Sequence, residues 1–68
     1  MKIVLNNREK EITEKNELNV IELFKIMRFT FPNIVVKING KLVKKQDYKN
    51  SLIRNGDKVD AIHMISGG

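Results

Sequence analysis

With 68 residues the chain has room for one domain, expected to span 1–68, and no more. Hydrophobic residues make up 41% and charged residues 31%, too apolar a balance for a disordered chain. No Cys, one His and no Trp exclude a disulfide scaffold, a thiolate or His-rich metal site, a cysteine nucleophile and a Trp stacking platform for single strands. No apolar run approaches the roughly 18 residues of a membrane span. The stretch Met1-Lys2-Ile3-Val4-Leu5 is too short for the apolar core of a secretion signal, so a cytoplasmic protein with no membrane partner is expected.

The net charge is +5, with basic residues spread along the chain. They are densest at Lys37, Lys41, Lys44, Lys45 and Lys49, where Asp47 is the one acid. Such a stretch is a solvated face, a surface for an acidic protein or a nucleic-acid contact. No Arg-rich or Gly-aromatic signature accompanies it, so nucleic acid is not an expected partner.

In chain order, Ile3 and Leu5, with Met1 in phase, alternate with Lys2, Val4 and Asn6, the period of a strand. Asn6-Asn7 suits a tight hairpin, because Asn tolerates the left-handed conformation. A polar edge strand follows over 9–14, around Ile12. Asn19 reads as a helix N-cap, with Glu22 three residues on to complete a capping box. Val20, Leu23, Phe24 and Met27 then form one apolar face of a helix over 20–28. Phe31-Pro32-Asn33 is expected to end it. The β-branched segment 34–39 reads as a strand, Asn39-Gly40 as a hairpin turn and 41–43 as the return strand. Segment 46–53 reads as a loop with one helical turn, pinned inward by Tyr48 and Leu52. Asn55-Gly56-Asp57 is a further turn, and 58–65 the last strand.

The order β-β-α-β-β-β predicts an α+β fold, one mixed sheet with a single helix packed on one face. First and last strands should lie parallel at its centre, joined through a right-handed crossover. Ile3, Leu5, Val36, Ile38, Val59 and Ala61 are expected to face the helix. Alternation then puts Val4, Val35, Ile62 and Met64 on a face that nothing in this chain covers. Scattered surface aliphatics are common, but four on one uncovered face read as a partner-docking patch. Ile62 and Met64 also sit on the strand that leads into the last residues.

Those residues are Ser66-Gly67-Gly68, expected to form a flexible tail over 66–68. Gly-Gly has no side chains, so it can thread a narrow channel and present a carboxylate inside another protein. His63 has no nucleophile or acid partner in the sequence and reads as structural. Asp57 reads as a turn residue and Tyr48 as a core-edge residue.

Val35-Val36-Lys37-Ile38-Asn39-Gly40, Val43 with Tyr48, Leu52, Asn55-Gly56-Asp57-Lys58-Val59 and His63-Met64-Ile65-Ser66-Gly67-Gly68 together resemble a known family, as does the helix segment Val20-Ile21-Glu22-Leu23-Phe24. It is the ubiquitin-like β-grasp sulfur carriers, and within them the ThiS family of thiamine biosynthesis. The molybdopterin-synthase small subunits, MoaD, share the fold and tail but are usually longer. Lys44-Lys45 stands where the family usually has Pro-Arg, and Met64 where it often has Phe.

The resemblance implies a carrier and not an enzyme, with no catalytic residue, no metal and no cofactor bound by this chain. A ThiF-like adenylyltransferase using ATP and Mg²⁺ would adenylate the Gly68 carboxylate. A persulfide derived from a cysteine desulfurase would convert it to a thiocarboxylate. A ThiG-like thiazole synthase would take the sulfur. Ser66 and Gly67 would serve as the tail, and Val4, Val35, Ile62 and Met64 as the docking surface. Two other functions share these features in part: a ubiquitin-like modifier joined to lysines through Gly68, and a small RNA-binding or regulatory module using 37–49.

Overall fold

A computed structural model describes residues 1–29 and 33–64. It opens with β1 (Lys2–Leu5) and β2 (Arg8–Glu11), joined at Asn6-Asn7. Both asparagines have positive φ, 50° and 67°, the backbone a two-residue hairpin demands. β2 is shorter than the expected 9–14. Ile12 lies just past its end and is buried, with its N–H donating to the Met1 carbonyl at 2.7 Å.

Next comes β3 (Glu17–Asn19), which the sequence did not reveal, running straight into α1 (Val20–Met27). Asn19 caps the helix as expected. Its Oδ1 accepts the Glu22 N–H at 2.8 Å, and Glu22 Oε1 accepts the Asn19 N–H at 3.0 Å. Glu22 is also ion-paired to Lys15, and these bonds hold its carboxyl below the usual carboxylate range. Val20 and Leu23 are fully buried, with Phe24 and Met27 packed against the core.

The helix ends at Arg28, the limit expected of it, before Phe31 and Pro32, which lie outside the described residues. Arg28 takes φ 58°, ψ 38°. Its N–H donates to the Lys25 carbonyl at 3.3 Å and the Phe29 N–H to the Phe24 carbonyl at 2.9 Å. These bonds close the helix with a left-handed residue, and the Phe24 and Phe29 rings meet edge to face at 6.0 Å. Two local hydrogen bonds and an aromatic contact thus mark the helix end.

β4 (Ile34–Ile38) and β5 (Lys41–Val43) pair across Asn39-Gly40, both at positive φ. A short 3₁₀ turn (Lys45–Asp47) leads to β6 (Leu52–Arg54), and β7 (Lys58–His63) completes the described strands. The main sheet has the order β2-β1-β7-β4-β5. β1 and β7 run parallel and β7 lies at the centre, as the sequence predicted. The layout is a mixed sheet with one helix, with two short strands added.

Those two, β3 and β6, form a separate antiparallel ribbon in which Leu18 opposes Ile53. Both are fully buried in the same core as Ile3, Leu23, Val36 and Val59. Burying an aliphatic of this size contributes about 1.5–3 kcal/mol. The expectation that Leu52 points inward is corrected here. Leu52 is 42% exposed and Ile53 is buried. Pairing with β3 sets the alternation of β6, and only one of two adjacent strand residues can face the core. Among the described residues no helix is long and apolar enough to cross a membrane.

The ends of β1 and β7 are locked by side chains. Asn6 Oδ1 accepts the Ala61 N–H at 2.8 Å and its Nδ2 donates to the Ala61 carbonyl at 3.1 Å. The side-chain amide stands in for a peptide unit where the β1 backbone has turned away.

Candidate functional site

The helix covers one face of the main sheet. Ile3, Leu5, Val36, Val59 and Ala61 are buried beneath it, and Ile38 is half-buried. Ladder register then assigns the opposite face residue by residue. Val35 lies directly opposite Ile62, and Lys37 opposite both Asp60 on β7 and Leu42 on β5. The Met64 N–H donates to the Asn33 carbonyl at 2.8 Å, so β4–β7 pairing continues to Met64.

Val35, Ile62 and Met64 therefore share one uncovered face. Ile62 is 52% and Met64 53% exposed, while Val35 between them is half-buried. Val4 occupies the same face but not the same patch. It pairs with Glu9 on one side and Lys58 on the other. Lys58 is four residues from Ile62, a separation of about 13 Å along a strand. The structure thus gathers three of the four expected docking residues and leaves Val4 among charges at the far end.

A residue absent from the expected set completes the patch. Leu42, 62% exposed, shares the face of its register partner Lys37. It meets Val35 on one diagonal, as Met64 does on the other, each about 7–8 Å away. The result is a diagonal apolar band, Leu42–Val35–Ile62–Met64, across β5, β4 and β7. The Asn39-Gly40 turn was the signal for Leu42, since a two-residue hairpin dictates that 37 faces 42.

The tail residues Ser66, Gly67 and Gly68 lie outside the described residues. The band ends at Met64, where the described part of the chain leads toward them.

Residues that invite a chemical role have structural ones. Asp57 accepts the Arg54 N–H at 2.8 Å and the Asn39 side-chain amide at 3.1 Å, bracing two turns. Tyr48 is buried. Its hydroxyl donates to the Ile34 carbonyl at 3.2 Å, and burial pushes the phenol above its usual range. The His63 ring stands edge-on to Phe29 with centroids 5.5 Å apart. Among the described residues no group of three His, Asp or Glu side chains is placed to hold a metal ion.

A five-stranded mixed sheet with parallel first and last strands, one helix across it and an uncovered apolar band defines a ubiquitin-like β-grasp domain. A family model for the ThiS family matches residues 3–68, and the chain belongs to that family. Its fold is similar to the crystal structure of the thiamine biosynthesis protein ThiS from Geobacter metallireducens. That match has a TM-score of 0.90 at 22% identity and covers all of both chains. It is also similar to the solution structure of a thiamine biosynthesis protein from the same organism. There the TM-score is 0.82 at 22% identity, over all of this chain and 88% of that one.

Proposed function

We propose that this chain is a sulfur carrier of thiamine biosynthesis whose reactive group is the carboxylate of Gly68. Membership of the ThiS family over residues 3–68, a span that takes in Gly67 and Gly68, carries this reading. The uncovered band supports it, because Ile62 and Met64 lie on the segment leading to that pair.

The chemistry divides between this chain and its partners. A ThiF-like adenylyltransferase, using ATP and Mg²⁺, joins the Gly68 carboxylate to AMP and releases pyrophosphate. The carboxylate, a poor electrophile, becomes an acyl phosphate. The terminal sulfur of a persulfide, drawn from a cysteine desulfurase, attacks the carbonyl and displaces AMP to give an acyl disulfide. A second thiol then attacks the persulfide carrier's own sulfur, forms a disulfide with it and releases the Gly68 thiocarboxylate. A ThiG-like thiazole synthase consumes that sulfur. This chain contributes a docking face and a slender terminus, and it needs no thiol because the sulfur rides on the backbone. Without a Cβ at Gly68 the attacked carbonyl is open, and Gly67 leaves the approach unobstructed.

The test is intact-mass analysis after incubation with the adenylyltransferase, ATP, Mg²⁺ and a persulfide source. The expected gain is the exchange of one oxygen for sulfur at Gly68. One Ala appended after Gly68 moves the carboxylate by about 3.5 Å. Since misplacement by about 1 Å can cost about 100-fold in rate, that variant should not react. Gly68→Ala should react slowly. An extended chain that reacts as well as the native one would overturn the reading.

A further inference from the structure

The two edges of the main sheet differ. β2 presents Arg8-Glu9-Lys10-Glu11, all charged, which discourages any added strand. β5 presents Lys41-Leu42-Val43. Lys41 faces Ile38 across the two-residue turn and forms the bonded pair of the hairpin. Leu42 is the next, non-bonded position, so its N–H and C=O point away from β4 to the free edge of the sheet.

Along that edge runs an open groove of about 400 Å³. Ile38, Leu42 and Val43 line it from the hairpin, and Asp47, Ser51 and Leu52 from the segment between the 3₁₀ turn and β6. Leu42 and Leu52 are two of the four large apolar side chains exposed among the described residues, and the docking band takes in Leu42 but not Leu52. Lys41 also lines it, and the exposed Lys44, Lys45 and Lys49 lie within two positions of its lining residues Val43, Asp47 and Ser51 in the sequence, with Asp47 the one acid in 41–49.

We propose that the β5 edge is a second docking site, which takes an extended partner segment carrying an apolar residue flanked by acidic ones. Main-chain bonds to Leu42 would add it to the sheet as a strand, and the groove would seat its apolar side chain. Charge selects the occupant. A second copy of this chain would set four lysines against four, whereas an acidic segment neutralises them. The contact is independent of the sulfur chemistry. Peptide binding can fail with thiocarboxylate formation intact, and the reverse.

The experiment titrates the isotope-labelled chain with the blocked peptide Asp-Asp-Val-Ile-Val-Asp-Asp, followed by amide shifts and exchange. Saturable shifts should centre on Lys41–Val43, Ser51 and Leu52, and the Leu42 amide should become protected. Binding should weaken as salt rises. The pair Lys44→Glu and Lys45→Glu should weaken it about tenfold or more, with the circular dichroism of the free chain unchanged. Shifts centred on Ile62 and Met64 would overturn the proposal. So would equal binding of a lysine-flanked peptide, no saturable change at millimolar peptide, or concentration-dependent shifts at β5 without peptide, which would mark a second copy as the occupant.

Discussion

Asparagine does much of the bracing at strand ends. Asn39 makes three bonds to the 57–58 segment: its N–H donates to the Lys58 carbonyl at 2.7 Å, its Oδ1 accepts the Lys58 N–H at 2.9 Å, and its Nδ2 donates to the Asp57 carboxylate at 3.1 Å. Asn55 Oδ1 accepts the Lys2 N–H at 2.7 Å. Asn6 bridges Ala61 with both side-chain atoms. Asn6→Asp keeps the shape but replaces the donor with an acceptor facing the Ala61 carbonyl. It should cost about 1–3 kcal/mol in urea denaturation. An unchanged midpoint would show that the bridge adds nothing. Arg28 is the opposite case, a bulky residue held at positive φ where glycine sits without strain. Arg28→Gly should raise stability by about 0.5–1 kcal/mol. A lower thermal midpoint would mean that the Arg28 side chain contributes more than its backbone costs.

Among the elements, the β3–β6 ribbon is the instructive one. Each strand has three residues, too few to show a period, and their partners are far apart in sequence. The ribbon exists because Leu18 and Ile53 meet in the core. Ile53→Ala should therefore cost about 2–5 kcal/mol, as removal of a fully buried aliphatic does. Leu52→Ala, one residue earlier, should stay within about 0.5 kcal/mol. Matched denaturation curves for the two variants decide this, and equal losses would refute the alternation assigned to β6. The helix offers a contrast. Its cap, apolar face and start were all legible at spacings of three and four, because those contacts are made within the segment itself.

At the scale of the molecule, one helix on a five-stranded sheet leaves one face uncovered. Ile62 stands near the middle of the apolar band on that face. Ile62→Asp should leave the thermal midpoint close to native, because the residue is already half-exposed. It should nevertheless weaken adenylyltransferase binding severely, since a carboxylate would be desolvated in the interface without a partner. Calorimetric titration measures the second effect and a melting curve the first. Native affinity in a folded variant would reduce the band to incidental surface.

What was legible in the sequence was whatever its near neighbours impose. The Asn-Gly hairpin, the Asn19–Glu22 box, the helix face and the alternation of β1, β4 and β7 depend on residues at most a few positions apart. The central pairing of β1 with β7 was also accessible, because a lone helical crossover leaves few topologies open. Contacts between distant segments were not. Leu52 and Ile53 could trade places until β3 fixed the register of β6. Val4 belonged to the docking patch until the β1–β7 register placed it beside Lys58, and Leu42 joined the patch only through Lys37. The physical reason is the pleat. Alternation tells which residues share a face, but which of them are neighbours depends on how far one strand is slid along the next, and packing of the core sets that slide.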